Sequence, residues 1–167
     1  MGRQVRRVPP NWEHPRGVGG TGFRPLMAGP FSERLSEWDE EAAQWERGLM
    51  RSYREGLAWE SKGDRDYTYA EYAGERPVAT DYMPEWPEDV ATHLMMYEDT
   101  SEGTPISPPF ATPEQLAHWL TDNGASAFGV STATYEQWLS ACRRGWSVSM
   151  VIDGGVIRSG VAAMSEP

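Results

Sequence analysis

The sequence predicts an α+β fold, with one long amphipathic helix, an αα-hairpin and a small antiparallel sheet that ends in a C-terminal β-hairpin, all wrapped by extended Pro- and Gly-rich segments. Three observations carry this reading. Apolar residues step by 3, 4, 3 and 4 from Leu35 to Leu49, the spacing of one helix face. Two helix-start signals opened by threonine stand at Thr112 and Thr134. An alternating apolar run meets Asp153-Gly154 near the C-terminus, a strong hairpin-turn pair. The expected organisation is an extended basic arm over 1–31 and a single α+β domain over 32–167.

The first thirty residues carry five arginines, Arg3, Arg6, Arg7, Arg16 and Arg24, against Glu13 alone, a net of +4. The rest of the chain carries −14 in a protein of formal net charge −10. The same thirty residues hold Pro9, Pro10, Pro15, Pro25 and Pro30 with Gly17, Gly19, Gly20 and Gly22. Taken as one segment they exclude a long helix and a central strand. The expectation is an arm that either docks on its own acidic body or meets phosphate groups.

The long helix is expected from Ser32 as N-cap, with Glu33 in the first turn. Leu35, Trp38, Ala42, Trp45 and Leu49 form its apolar face, and Tyr53 and Leu57 extend it by fours. Gly48 and Gly56 weaken the second half by about 1 kcal/mol each. Residues 60–89 read as a weak strand around Tyr67, Tyr69 and Glu71. An acidic-aromatic loop broken by Pro77, Pro84 and Pro87 follows, with Trp86 available either as a functional surface or as a cover over the core. The short stretch 90–97 reads as a strand, and 101–113, with four prolines, as extended chain.

Thr112, Pro113 and Gln115 start the first helix of the αα-hairpin, and Asn123-Gly124 stops it. The second begins at Thr132 or Thr134, buries Tyr135, Trp138, Leu139 and Cys142, and ends at Gly145. Trp146 to Ile152 and Val156 to Ala162 are the hairpin strands, with Gly160 as a bulge position.

Val, Leu, Ile and Phe together supply only 25 of 167 residues. Such a low share in a charged chain signals disorder unless other groups fill the interior. Here 8 Trp, 7 Tyr and 8 Met are available, and each buried Trp or Tyr removes roughly 150–250 Å² from water. The core is therefore expected to be aromatic and Met-rich. A single Cys excludes an intramolecular disulfide framework and zinc ribbons. The lack of any long apolar run leads to the expectation of a soluble chain in the cytoplasm.

Chemistry is sparse. GVGGTG at 17–22 has neither a preceding strand nor a following helix, so it lacks the context of a phosphate loop. Cys142, on the apolar face of a short helix, reads as a small buried hydrophobe. His14, His93 and His118 have no ligand spacing, so no metal or cofactor is expected. No nucleophile-elbow motif occurs. What remains is a recognition set. Arg3, Arg6, Arg7, Trp12, His14, Arg16 and Arg24, with Trp86 and Tyr97, combine guanidinium forks and aromatic faces suited to phosphates and stacked rings. The alternative is that these arginines pair with the acidic body. The charge of −14 outside the arm argues against general duplex binding.

The phrases MGRQVRRVP, NWEHP, SEGTPISPPFATPE, NGASAFG and ATYEQWL resemble a group of small accessory proteins encoded in bacteriophages and prophages. The resemblance covers the first 30 residues and about 97–163. It implies a phage origin and the cytoplasm of a bacterial host, and it assigns no catalytic residue. The leading expectation is a non-enzymatic binding protein acting in counter-defence, whose partner is a host protein or a small phosphorylated ligand such as a nucleotide. The alternatives are a nucleotide-modifying enzyme using His93 or His118, and a virion structural or assembly protein. The sequence leaves the oligomeric state open.

Overall fold

The computed structural model describes residues 2–52, 58–99 and 103–165. In chain order its elements are β1 (Gly2–Val8), α1 (Phe31–Glu46), β2 (Leu49–Arg51), β3 (Trp59–Ser61), α2 (Tyr69–Ala73), β4 (His93–Glu98), β5 (Thr104–Pro105), α3 (Pro113–Asp122), α4 (Tyr135–Arg144), β6 (Trp146–Val148), β7 (Met150–Asp153), β8 (Val156–Ser159) and α5 (Gly160–Ala163). The fold is α+β, with all strand pairs antiparallel. The chain forms two compact units. One joins Met1–Met27 to Glu85–Pro167, and the other is Ala28–Pro84.

The first unit is built on a sheet of order β5-β4-β1-β6. This corrects the expectation of an arm, because β1 is an interior strand, paired with β4 from Arg3↔Glu98 to Val8↔His93 and with β6 from Gly2↔Val148 to Gln4↔Trp146. The physical reason lies in where the prolines begin. GRQVRRV contains none, so every amide of that stretch can join a ladder. Only from Pro9 onward is the chain barred from a central strand. Gly2 permits the close approach to β6, since a Cβ there would lie 1.8 Å from the Ser147 carbonyl oxygen.

Strand alternation sends Val5, Leu94 and Met96 to one face of the sheet and Arg6, Val8, Met95 and Tyr97 to the other. The first face carries the apolar core. Met96 packs with Leu116, Ala117 and Leu120 of α3, Trp138, Ala141 and Cys142 of α4, and Val161 of α5. The αα-hairpin forms as expected. Thr112 Oγ1 accepts from the Gln115 amide, with Pro113 at the first helical position. Thr134 and Gln137 make a full capping box, and Gly145 ends α4 in the left-handed region at φ 89°. Its carbonyl accepts from the Val5 amide at 2.7 Å, which ties α4 to β1.

The C-terminal hairpin forms around Asp153-Gly154, but its first strand is divided. Residues 146–148 join the main sheet, and 150–153 pair only with β8. The return strand stops at Ser159, whose side chain caps α5. Gly160 opens that helix rather than forming a bulge, and it lies so close to β6 that a Cβ would meet the Val148 carbonyl oxygen at 1.9 Å.

In the second unit α1 ends earlier than the apolar spacing predicts. Gly48, at φ 84°, turns the chain out of the helix, and Leu49–Arg51 pairs with Trp59–Ser61 instead. The left-handed conformation available to glycine outweighs one more turn of amphipathic spacing. Tyr53 and Leu57, expected to prolong the helix, lie outside the described residues. The weak strand expected at 67–72 is a short helix. Thr68 and Glu71 form a capping box around its start, a signal that outranks a few alternating tyrosines. Trp45 is the centre of this unit. Its indole N–H donates to the Tyr67 carbonyl at 2.9 Å, and Tyr72 stacks on its ring at 4.7 Å. Trp45, Trp138, Tyr97 and Met96 share the fully buried interior with Leu116, Leu120, Val8 and Val161, so aromatic and Met side chains supply only part of the core, and aliphatic side chains supply the rest.

Among the described residues, no helix is long and apolar enough to cross a membrane.

A candidate ligand cavity on the proline-rich face of the sheet

Residues 9–27 run over the sheet face that bears Tyr97. Trp12 closes a turn on the Pro9 carbonyl, Arg16 bridges Phe23, and the Arg24 amide donates to the Pro15 carbonyl at 2.9 Å. The glycine-rich stretch 17–22 is the tip of this loop, with Val18 fully exposed. Farther on, Leu26 is buried and its amide donates to the Gly103 carbonyl at 3.3 Å. Gly103 has φ 92°, and a Cβ on it would lie 1.8 Å from the Leu26 carbonyl oxygen, so only glycine fits this crossing.

The hub is Tyr97, whose side chain is fully buried. Its hydroxyl accepts from Trp12 Nε1 at 3.2 Å and lies 3.2 Å from His14 Nδ1. His14 Nε2 lies 2.6 Å from the Arg24 carbonyl oxygen. A carbonyl only accepts, so Nε2 carries the proton of the neutral ring and Nδ1 accepts from the Tyr97 hydroxyl. Burial holds the His14 pKa below its ordinary value. The Arg24 carbonyl opposes that shift, and the nearby Arg6 charge adds to it. Burial also pushes the Tyr97 phenol up. The neutral forms of both groups are thereby favoured.

The nine residues singled out in the sequence fall into distinct places. Trp12, His14, Arg16, Arg24, Trp86 and Tyr97 gather on this face, with Trp86 edge-on to Trp12 at 4.8 Å and the Arg16 guanidinium 4.3 Å over Phe23. Arg6 is on the same face but serves the interior. Its guanidinium lies 4.4 Å over Tyr97 and donates to the Leu26 carbonyl at 2.7 Å and to Gln4 Oε1 at 2.9 Å. Arg3 is also buried, donating to the Ser126 carbonyl at 3.0 Å, with Glu98 3.5 Å away. Burial lowers the pKa of both guanidiniums. As ligand-gripping groups Arg3 and Arg6 are corrected to structural cations, because the strand they occupy is interior. Arg7 points to the opposite face and lies apart from the other six, as alternation along β1 requires.

A cavity of about 570 Å³ opens beside this hub. Trp12, His14, Phe23 and Met95 form its inner wall, Pro105, Ile106, Pro108 and Pro109 the opposite one, and Glu13 and Arg16 supply charge. Ser107 fixes the proline wall, its hydroxyl accepting from the Met96 amide at 2.9 Å and donating to the Pro108 carbonyl at 2.9 Å. Phe23, Glu13, Met95 and the Ser107–Pro109 wall were not singled out in the sequence. The Ser-Pro-Pro run was the available signal, since a rigid extended segment makes a pre-formed wall.

A second depression, of about 530 Å³, brings His93 and His118 together with Phe110 and Gln115. His118 stacks on Tyr135 at 4.2 Å, and His93 Nδ1 lies 3.1 Å from the Thr92 hydroxyl. Cys142 is buried, and burial raises its thiol pKa to about 12, which makes it inert at neutral pH. Among the described residues, no three His, Cys, Asp or Glu side chains cluster as metal ligands. Comparison with protein-family models, with curated proteins and with solved structures returns no match to this chain.

Proposed function

We propose that this chain is a phage-encoded, non-enzymatic binding protein that sequesters a small phosphorylated, ring-bearing ligand such as a nucleotide in the cavity between Trp12 and the Ser107–Pro109 wall. Counter-defence in the cytoplasm of a bacterial host is the setting that this reading implies. The observation that supports it is the cavity itself, which lies beside the proline-rich segment, has aromatic and proline walls and carries one exposed guanidinium, Arg16. Such walls suit a planar ring, and a guanidinium suits phosphate oxygens. A binding role fits better than acid–base catalysis here. Both ring nitrogens of His14 are already engaged, and the Tyr97 hydroxyl is buried.

Calorimetry with a panel of linear and cyclic nucleotides tests the proposal. At least one should bind, and Arg16→Ala should weaken it by about tenfold, the loss expected for a charge-assisted contact. No heat with any nucleotide removes this reading. A second reading, a nucleotide-modifying enzyme, draws on the meeting of His93 and His118 in one depression. Turnover of a nucleotide pool that disappears in His118→Gln favours it instead.

A further inference from the structure

A separate cavity of about 310 Å³ lies on the helix-covered face of the sheet. Its lip carries two guanidiniums, Arg7 from β1 and Arg143 from the last turn of α4, and its floor is Val5, Leu94 and Cys142. Arg7 is exposed and, among the described residues, has neither a hydrogen-bond nor an ion-pair partner. Arg143 is held by Glu114 at 2.9 Å, so its position is set while one edge of its fork stays open. The residues bordering the cavity include no carboxylate. Glu114 already answers the Arg143 charge from beside the cavity, and its charge also reaches Cys142, so Arg7 is the cation of this depression that has no counter-charge among the described residues. The floor beneath the two guanidiniums is apolar, so inorganic phosphate alone leaves it unfilled.

We propose that this cavity is a second ligand site that takes a small phosphate monoester with a compact apolar group. The phosphate bridges Arg7 and Arg143, and the apolar group covers Val5, Leu94 and Cys142. Guanidinium forks match phosphate oxygens in paired hydrogen bonds. This site is independent of the Trp12–Pro108 cavity, to which none of its residues belongs.

Titration of the full chain with phenyl phosphate and with inorganic phosphate, at fixed ionic strength, tests it. Phenyl phosphate should bind the more tightly. Arg7→Ala should weaken it about tenfold or more, as the loss of a charge-assisted pair requires. Arg143→Ala should weaken it too, whereas the exposed Arg47→Ala should not. Circular dichroism of each variant separates lost binding from lost folding, and Arg7→Lys, which keeps the charge without the fork, should restore only part of the affinity. Equal binding by wild type and Arg7→Ala overturns the proposal, as does loss of binding in Arg16→Ala alone, which moves the ligand to the other cavity. Equal affinity for inorganic and phenyl phosphate overturns the proposed role of the apolar floor.

Discussion

The two faces of the four-stranded sheet are held by different physics. The face toward α3 and α4 is closed by hydrocarbon, with Met96, Leu116, Leu120, Trp138 and Val161 all almost wholly removed from water. The face toward residues 9–27 is closed by chain with little regular structure, and hydrogen bonds and ring contacts centred on Tyr97 do much of the work. Helices satisfy their own backbone and can therefore pack tightly. A Pro- and Gly-rich segment cannot, and its side chains must tie it down. The incomplete closure that results leaves a cavity. The loop-covered face thus has the roomier of the two cavities, about 570 Å³ against about 310 Å³ on the helix-covered face.

The comparison is broken most severely from the dry side. Trp138→Ala removes a fully buried indole from the helix-covered core and should cost about 3–5 kcal/mol, read as a lower urea midpoint. A loss below about 1 kcal/mol would mean that this core does not dominate stability. On the other face, Arg6→Ala strips hydrogen bonds from the Leu26 carbonyl and Gln4 and should cost about 1–3 kcal/mol. Arg16→Ala, which removes an exposed side chain, should stay within about 0.5 kcal/mol. Equal destabilisation by both arginine variants would erase the distinction between interior and cavity-rim cations.

The helical half of the first unit was legible because its signals are local. Thr112 with Pro113, Thr134 with Gln137, and Gly145 each declare a helix end within a few residues. Strand β4 was legible for the same reason. What failed was grouping. The proline count over thirty residues hides the proline-free stretch that precedes Pro9, and with it the central strand Gly2–Val8. Likewise Gly48 and the Thr68–Glu71 box were overruled by longer-range apolar patterns that proved weaker than a turn or a cap. Trp12, His14, Trp86 and Tyr97 stand out in the sequence by residue type alone. Trp12 and His14 meet at the Tyr97 hydroxyl, with Trp86 edge-on to Trp12, and that meeting depends on β1–β4 register and on the Leu26–Gly103 crossing, which no short motif encodes. The same register separates Arg6 from Arg7, although the two are adjacent in sequence.

The smallest expected effect sharpens the comparison best, because the loop-covered face contains a buried histidine at its hub. His14 is neutral in the fold, and burial holds its pKa below the ordinary 6.5. The unfolded chain therefore binds a proton at His14 before the folded chain does as the pH falls. Stability must then decline as the pH drops below about 6.5, and it levels off once the folded ring is also charged. The exposed carboxylates of Asp39, Glu71 and Glu114, held below their ordinary values by Arg76, Thr68 and Arg143 respectively, give losses of the same sign only at lower pH. The window between pH 6.5 and 5 thus isolates the histidine contribution. Thermal midpoints of wild type should fall across it, and those of His14→Gln should fall less. The Tyr97 hydroxyl has a second acceptor, Met95 Sδ at 3.4 Å, to which it can turn when Nδ1 becomes a donor. That turn lets the network survive protonation, so the decline should be gradual and reversible and should leave the helix-covered face folded. Cooperative unfolding of both faces in that window would show that the loop-covered side is not a separable, weaker closure.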